Sequence, residues 1–138
     1  GKLDYFVAGF GTGGTISGVG EVLKQKIPAI KIIGVEPAAS PLLTKGEAAG
    51  HKIQGIGANF IPKILNRDVI DSIELAENEM AIKTAQELGK IGVMVGISSG
   101  ANVAIALKIA KENPNAKVLT MLNDTAERYL STDLFNTL

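Results

Sequence analysis

Apolar and polar residues alternate along the chain in blocks that predict strands followed by helices. Short apolar runs, which favour buried strands, occur at Leu3–Ala8, Lys31–Val35, Val69–Leu75, Val93–Ile97 and Val118–Leu122. Apolar residues at helical spacing predict helices at Ile16–Lys26, Glu77–Leu88, about Ala101–Lys111 and a last helical segment at Glu127–Leu130. This alternation predicts an α/β fold, a three-layer domain with a mostly parallel, twisted sheet flanked by helices.

The connections between these elements carry further signals. Gly89 follows the second long helix directly and is predicted to be its C-terminal cap. Residues 37–68 contain Pro37, Pro41 and Pro62 and are predicted to be irregular. A loop of this length is either functional or a sign that an element has been missed. The 138 residues show no internal repeat, so the chain is predicted to form a single domain, 1–138.

The charge balance and the rare residue types exclude several classes of function. The chain has 14 basic and 14 acidic side chains, one histidine and no cysteine. A neutral chain lacks the basic surface expected of a nucleic-acid or anionic-membrane partner. Without cysteine there is no disulfide, thiolate nucleophile or thiolate metal site, and one histidine makes a metal centre improbable. No apolar stretch approaches the roughly 20 residues of a membrane span, so the predicted location is the cytoplasm.

The apolar composition fits a buried sheet. Hydrophobic residues make up 46% of the chain and aromatic residues 4%, and there are 16 glycines. A core of Val, Ile, Leu and Ala is typical of parallel strands that are covered on both faces. The apolar excess also leaves open that further protein covers part of this surface.

A glycine-rich loop, Gly9–Thr15 (GFGTGGT), lies between the first predicted strand and the first predicted helix. Successive glycines let backbone N–H groups turn toward a ligand, and the helix N-terminus adds positive potential. Thr12 and Thr15 add hydroxyl donors. The loop therefore predicts a phosphate site, with a tight turn that binds nothing as the alternative.

The same loop leaves the identity of the phosphate ligand open. Gly9, Gly11 and Gly14 satisfy G-x-G-x-x-G, and Glu36 follows 22 residues after Gly14, as in a dinucleotide-binding half-domain. No Gly-Lys-Ser/Thr follows, which excludes a Walker-type loop. Two other segments are not required by a dinucleotide site, namely GISSGA at 96–101 and HKIQGIG at 51–57.

These segments together resemble a known family. GFGTGGTISGVG (9–20), GVEP (34–37), HKIQGIGANFIP (51–62), VGISSGAN (95–102) and ERYLSTDLF (127–135) occur in this order. The chain resembles the C-terminal portion of the cysteine synthases, or O-acetylserine sulfhydrylases. These enzymes belong to the β-family of pyridoxal-phosphate enzymes, which have fold type II.

The resemblance implies roles for three groups of residues. The cofactor phosphate of pyridoxal 5'-phosphate would be held by Gly11, Thr12, Gly13, Gly14 and Thr15. Ser98 would form a hydrogen bond with the pyridine nitrogen, with Ser99 as the near alternative and helix capping as the structural alternative for both. A loop that lies beside the substrate and moves on closure would comprise Gln54, Gly55 and Ile56.

The resemblance also implies an activity and partners. A hydroxyl at the ring nitrogen, unlike a carboxylate, fits β-elimination followed by β-addition, which would convert O-acetylserine and sulfide to cysteine and acetate. Cystathionine β-synthase is the nearest alternative, and Gln54 and the ERYLS segment favour cysteine synthase. Family members are homodimers and bind the C-terminal tail of serine acetyltransferase. His51 is interpreted as a hydrogen-bonding loop residue and Lys52 as a solvated charge.

The chain departs from the family pattern in two places. The segment with the Schiff-base lysine and the asparagine-containing substrate loop are both absent, so no catalytic residue is assigned, and the chain is predicted to be an inactive fragment or isolated domain. In the turn that starts at Asn123, the family usually has Pro at this position and Gly in place of Ala126. Ala126 disfavours a positive φ, which predicts a different or strained turn.

Overall fold

The computed structural model describes residues 2–129, 131 and 134. Its strands are β1 (Tyr5–Gly9), β2 (Lys31–Pro37), β3 (Ser72–Ala76) and β4 (Val118–Thr120). Its α-helices are α1 (Gly14–Lys26), α2 (Leu42–Lys45), α3 (Asn78–Lys90) and α4 (Ile97–Glu112). Two short 3-10 helices lie at Arg67–Val69 and Ala126–Tyr129. The strands form one parallel sheet in the order β3-β2-β1-β4.

Helices cover both faces of this sheet because alternate residues of its central strands point to opposite sides. Phe6 and Ala8 of β1 belong to the core on the α1 side, together with Ile16. Val7 of β1 and Val35 of β2 belong to the core on the side of α3 and α4, which pack against each other. The three-layer α/β fold is therefore confirmed.

The strand order places a topological switch point beside the glycine-rich loop. The connection that follows β1 leads to β2 on one side, whereas β4 pairs with β1 on the other, with Val7 opposite Thr120. In open α/β sheets, ligands bind in the crevice at the carboxyl ends of the strands at such a point. The loop after β1 and the turn after β4 both lie there.

Two local predictions are wrong. Val93–Ile97 is not a strand: Val95 makes only an isolated antiparallel bridge with Thr125, and α4 already begins at Ile97. Gly89 is not a cap, because α3 continues to Lys90 and the residue with positive φ is Gly92, at 88°. In both cases the helix includes a glycine that the prediction had placed outside it, Gly89 in α3 and Gly100 in α4.

The remaining expectations have mixed outcomes. Within 37–68 the structure contains the last residue of β2, Pro37, then α2 and the start of a 3-10 helix, so the irregular segment is largely as predicted. The third strand begins at Ser72 rather than Val69. Ala126 starts a 3-10 helix, and no non-glycine residue in the described part has a positive φ, so the expected strain at Ala126 is wrong. Leu130, the end of the last predicted helical segment, lies outside the described residues.

The described residues contain neither a candidate membrane span nor a candidate metal-binding cluster. No described helix is both long and apolar enough to cross a membrane. No group of three or more His, Cys, Asp or Glu among residues 2–129, 131 and 134 could hold a metal ion.

Candidate functional site

A cleft of about 630 Å³ opens at the switch point. All nine residues that the sequence predicted for cofactor and substrate line it: Gly11, Thr12, Gly13, Gly14, Thr15, Ser98, Gln54, Gly55 and Ile56. The wall is completed by Gly9, Phe10, Ile16, Ala58, Asn123, Asp124, Arg128 and Tyr129. Four separate chain segments therefore meet at one place, after β1, within the long loop, at the start of α4 and after β4.

The glycine-rich loop needs its glycines for both conformation and close approach. Gly13, the N-cap of α1, has φ 88°, and a Cβ there would lie 2.8 Å from the Cβ of Leu65. A Cβ on Gly11 would lie 2.6 Å from the carbonyl oxygen of Gly55. No side chain caps α1 at Gly13, and its first turn contains no acidic residue. The N–H groups at this end of α1 are thus open to an anion in the cleft.

The segment around Gln54 packs directly on the glycine-rich loop. The Gly57 N–H donates to the carbonyl oxygen of Phe10 at 3.1 Å. A Cβ on Gly9 would lie 2.7 Å from Cγ2 of Ile56, which is buried. Gln54 and Gly55, in contrast, are exposed at the mouth of the cleft. The predicted substrate loop is therefore anchored at Ile56 and accessible at Gln54.

His51 supports this loop from behind and does not line the cleft. Its Nε2 lies 3.0 Å from the carbonyl oxygen of Gly57, and its Nδ1 accepts from the Ile53 N–H at 3.1 Å. Because Nδ1 accepts, the proton of the neutral ring belongs on Nε2, which donates to Gly57. The interpretation of His51 as a hydrogen-bonding loop residue agrees with these contacts. Lys52 is exposed.

The start of α4 is capped by a carboxylate from the turn after β4. Asp124 accepts from the N–H of Ser98 at 3.2 Å and from the N–H of Ser99 at 3.0 Å. The hydroxyls of Ser99 and Tyr129 also donate to it. Ser99 thus faces the interior, whereas Ser98 is the serine of this pair that lines the cleft.

Ionisation reinforces this capping. Burial alone would raise the pKa of the Asp124 carboxyl, but hydrogen bonds from Ser99, Tyr129 and Ser98 outweigh burial and hold the pKa below its ordinary value. Burial raises the pKa of the Tyr129 phenol, and the hydrogen bond to Asp124 and its negative charge raise it further. Asp124 is therefore charged and Tyr129 neutral at pH 7.

Asn102 joins the strand ends behind the cleft. Its side chain is 1% exposed, and its Oδ1 accepts from the Gly9 N–H at 2.8 Å. Its Nδ2 donates to the carbonyl oxygen of Met121 at 3.0 Å and to Oδ1 of Asn123 at 3.2 Å. Asn123, where the sequence analysis expected Pro, therefore accepts a hydrogen bond that a Pro side chain could not accept.

The cleft residues in and after the turn that follows β4 were not predicted as site residues from the sequence. Asp124, Arg128 and Tyr129 line the cleft, and Asn102 lies behind it. One signal was available: Asp124 follows the last predicted strand, and the carboxyl ends of parallel strands converge. That signal locates the residue but not its bonds to Ser98 and Ser99, which are distant in sequence.

Glu36 does not serve the role that a dinucleotide fingerprint would give it. Its side chain is 2% exposed, and its carboxylate accepts from the N–H groups of Leu43 at 2.6 Å and Thr44 at 3.2 Å. The Thr44 hydroxyl donates to it as well, at 2.7 Å. Because these contacts hold Glu36 at the start of α2, the carboxylate does not face a ribose in the cleft.

Comparisons with known proteins agree with the geometry. A family model described as "Pyridoxal-phosphate dependent enzyme" matches residues 1–124. Cysteine synthase B of Campylobacter jejuni is 69% identical over 134 residues, which cover 97% of this chain and 45% of that protein. O-acetyl serine sulfhydrylase isoform 3 from Entamoeba histolytica matches with a TM-score of 0.95 and 42% identity, over 100% of this chain and 42% of that one.

A protein named for a different activity is almost as similar to this chain. The O-acetylserine dependent cystathionine beta-synthase from Helicobacter pylori matches with a TM-score of 0.89 and 44% identity, over 96% of this chain and 44% of that one. The chain spans less than half the length of each of these three proteins. The family of fold type II enzymes predicted from the motifs is confirmed, and with it the cofactor, pyridoxal phosphate. The chain belongs to the family of pyridoxal-phosphate dependent enzymes.

Proposed function

We propose that this chain is the cofactor-phosphate-binding part of a cysteine synthase that converts O-acetylserine and sulfide to cysteine and acetate. The observation that carries the proposal is that residues from four distant segments line one cleft at the uncapped N-terminus of α1. Residues 1–138 would form one domain of that enzyme.

The cleft fits the phosphate of the cofactor. A phosphate dianion is stabilised by open N–H groups at a helix N-terminus, and α1 has no acidic residue there that would repel it. Backbone donors of Gly11, Gly13 and Gly14 and the hydroxyls of Thr12 and Thr15 would hold the group. The missing side chains at Gly11 and Gly13 let the loop pack against Gly55 and Leu65.

Each segment of the cleft would have its own task in the reaction. Pyridoxal phosphate, when bound, supplies an electron sink for the negative charge that develops on the substrate. The α1 end holds the phosphate and so fixes the position of the ring. Gln54 and Gly55, at the mouth, would orient the substrate and exclude water on closure. Ser98 would present a neutral hydroxyl to the ring nitrogen.

Among the described residues that line the cleft, we identify no group placed to carry the substrate proton. The ionisable residues among those that line the described cleft are Asp124, Arg128 and Tyr129. Asp124 is bound to the start of α4, and Tyr129 is held neutral. We therefore expect no cysteine formation from O-acetylserine and sulfide when only this chain and the cofactor are present. Turnover above the rate with free pyridoxal phosphate would contradict this expectation.

Acceptor and partners belong to the proposal as well. The similarity to a cystathionine beta-synthase supports homocysteine as an alternative acceptor to sulfide. We further propose a cytoplasmic homodimer that binds the C-terminal tail of serine acetyltransferase at the cleft. A peptide copy of such a tail tests this, since it should compete with O-acetylserine in the full-length enzyme.

Ligand-dependent unfolding tests the cofactor site directly. Pyridoxal phosphate should raise the stability of the chain, by about 2.7 kcal/mol at a hundredfold excess over its dissociation constant. Pyridoxamine phosphate should also stabilise the chain, which rules out aldehyde adducts with lysines as the cause. The effect should be smaller in Thr15→Val, which lacks one of the proposed hydrogen-bond donors. NAD should give no shift, and a shift with NAD alone would contradict the proposal.

A pair of hydroxyl variants tests the assignment of Ser98. Ser98→Ala should weaken pyridoxamine phosphate and leave inorganic phosphate unaffected, because the proposed contact is to the ring. Thr125→Val is the matched control, since Thr125 is an exposed hydroxyl residue next to Asp124 and pairs with Val95. If Thr125→Val weakened the ring-bearing ligand and Ser98→Ala did not, the assignment of Ser98 would be wrong.

A further inference from the structure

Two asparagines at the switch point form a chain of hydrogen bonds that leads from the glycine-rich loop to the cleft. Asn102 belongs to α4 and is buried, whereas Asn123 follows β4 and is exposed at the cleft wall. The Asn102 side chain touches the end of β1 through Gly9 and the end of β4 through Met121. It thus connects the two strands between which the cleft opens.

The orientation of both side-chain amides follows from these bonds. The Gly9 N–H is a donor only, so the atom of Asn102 that it contacts must be the acceptor Oδ1. The Asn102 Nδ2 is then the donor for the Met121 carbonyl oxygen and for Asn123. Asn123 must in turn present its Oδ1 to Asn102. Its Nδ2 is the atom that remains, on a side chain that lines the cleft.

We propose that Asn123 donates a hydrogen bond from Nδ2 to the ring portion of the bound cofactor and that Asn102 is the positioning residue that orients it. The inference rests on the proposed function, because it requires the cofactor in this cleft. The ring is the expected partner since the phosphate belongs at the α1 end, whereas Asn123 lies on the wall after β4. A Pro at this position would have no side-chain donor and could not make this contact.

The test uses two ligands and a set of variants of the 138-residue chain. Pyridoxamine 5'-phosphate carries ring and phosphate, and inorganic phosphate carries only the latter. Asn123→Ala should weaken pyridoxamine phosphate about tenfold, a typical loss for one hydrogen bond in a polar site, and leave inorganic phosphate unchanged. Since Asn123 is exposed, this variant should fold. Asn115→Ala, an exposed asparagine outside the cleft, is the matched control and should change neither affinity.

Asn102→Asp separates the orientation of the Asn123 amide from the hydrogen bond that holds the Gly9 N–H. The aspartate keeps an acceptor for the Gly9 N–H but has no donor for Asn123, whose amide should flip and turn its oxygen toward the cleft. Hydrogen exchange at Gly9 should stay slow. Pyridoxamine phosphate should weaken by more than inorganic phosphate, whose loss measures the repulsion of the ligand phosphate by the new carboxylate. The double variant should lose no more than Asn102→Asp alone, because both changes remove the same contact.

The outcomes separate this inference from the proposed function. Weaker binding of both ligands in Thr15→Val, together with an Asn123→Ala affinity within twofold of the unaltered chain, would leave the cofactor site standing and overturn the inference. Unchanged binding in Thr15→Val would overturn the proposed site. Absence of any binding by the unaltered chain would overturn both.

Discussion

Two helices, α1 and α4, begin at the same cleft, and their first turns differ in one respect. The N-cap is a glycine in both, Gly13 in α1 and Gly96 in α4, so neither helix is capped by its own residue. At α4 a carboxylate from elsewhere, Asp124, accepts from the first N–H groups. At α1 no carboxylate does so, and the Gly14 N–H donates only to the Thr12 hydroxyl, at 3.4 Å. One helix therefore carries an internal anion and the other is open to an external one.

This difference separates a structural turn from a binding turn. Open N–H groups at a helix start favour negative charge, whatever its source. The Asp124 carboxylate satisfies α4 permanently and connects it to the turn after β4. The α1 turn has no such carboxylate partner and is therefore the place for a ligand phosphate. Both turns contain glycines, but their capping partners decide which helix start is open.

The largest effect is expected when the α4 turn is disrupted by Gly96→Ala. A Cβ on Gly96 would overlap the ring of Tyr129 and the carboxylate of Asp124. The variant should lose about 3 kcal/mol or more of unfolding free energy, measured by urea denaturation. Gly14→Ala is the matched control in the α1 turn, since its Cβ would meet atoms only at 3.7 Å and its φ is not positive. Equal losses in both variants would contradict the distinction between the turns.

Removal of the internal anion should have the next largest effect. Asp124→Ala leaves the first N–H groups of α4 and the buried Tyr129 hydroxyl without their acceptor, at a cost of about 2–3 kcal/mol. Denaturant titration measures the loss. A loss below about 0.5 kcal/mol would mean that water replaces the carboxylate, and the structural role assigned to Asp124 would then be wrong.

The same carboxylate predicts a dependence of stability on pH. Its pKa is lowered in the folded chain, so the stability it contributes is fully present above about pH 4 and is lost as the pH falls through the folded pKa. Asp124→Asn should flatten this acid limb. Asp71 is the control. Burial raises the pKa of its carboxyl, but hydrogen bonds from Lys24 and the Ile32 N–H outweigh burial and lower it, at a more exposed place than that of Asp124. Asp71→Asn should flatten the limb less.

Removal of one donor from the network should have a smaller effect. Tyr129→Phe keeps the buried ring but loses the hydrogen bond to Asp124, at a cost of about 1.5 kcal/mol. Because the pKa of Tyr129 is raised in the folded chain, its contribution is present below about pH 10 and is lost as the pH rises further. Denaturation at pH 7 and pH 11 measures both effects. A variant with the same alkaline limb as the unaltered chain would contradict this assignment.

Local pattern was sufficient for the framework of the fold and for the binding turn. The strands of the sheet are short apolar runs, and the loop Gly9–Thr15 has positive-φ and close-approach positions that a single stretch of sequence reveals. The segment around Gln54 was found through its resemblance to the family. The strands and the positive φ at Gly13 depend on neighbours in the chain, which is why the sequence predicts them, whereas the partners in the close approaches, Gly55 and Leu65, are distant in sequence.

The capped turn depends on partners that are far apart in sequence, and there the prediction was wrong. Residues 93–97 have the composition of a strand, but Asp124, 25 residues beyond Ser99, lets the helix begin at Ile97. Sequence reasoning treated Asn123 and Ala126 as departures from a pattern. The structure gives Asn123 a partner in Asn102, in a pair that spans 21 residues. Such pairings become visible only when the strand ends have been brought together.

The smallest effect on stability is expected when the start of α1 is given a carboxylate of its own, as Asp124 provides for α4. Thr15→Glu introduces a carboxylate into the first turn of α1 at an exposed position, where it should stabilise the chain by about 0.5 kcal/mol through the helix dipole. The internal charge should also repel an external anion, so inorganic phosphate should no longer raise the melting temperature. Thr15→Gln, which has the same length as Thr15→Glu and no charge but also lacks the hydroxyl, is the control, and it should reduce the phosphate response without abolishing it. If both variants lost the phosphate response equally, the loss would come from the hydroxyl or from bulk, and the open end of α1 would not be distinguished from α4 by its charge.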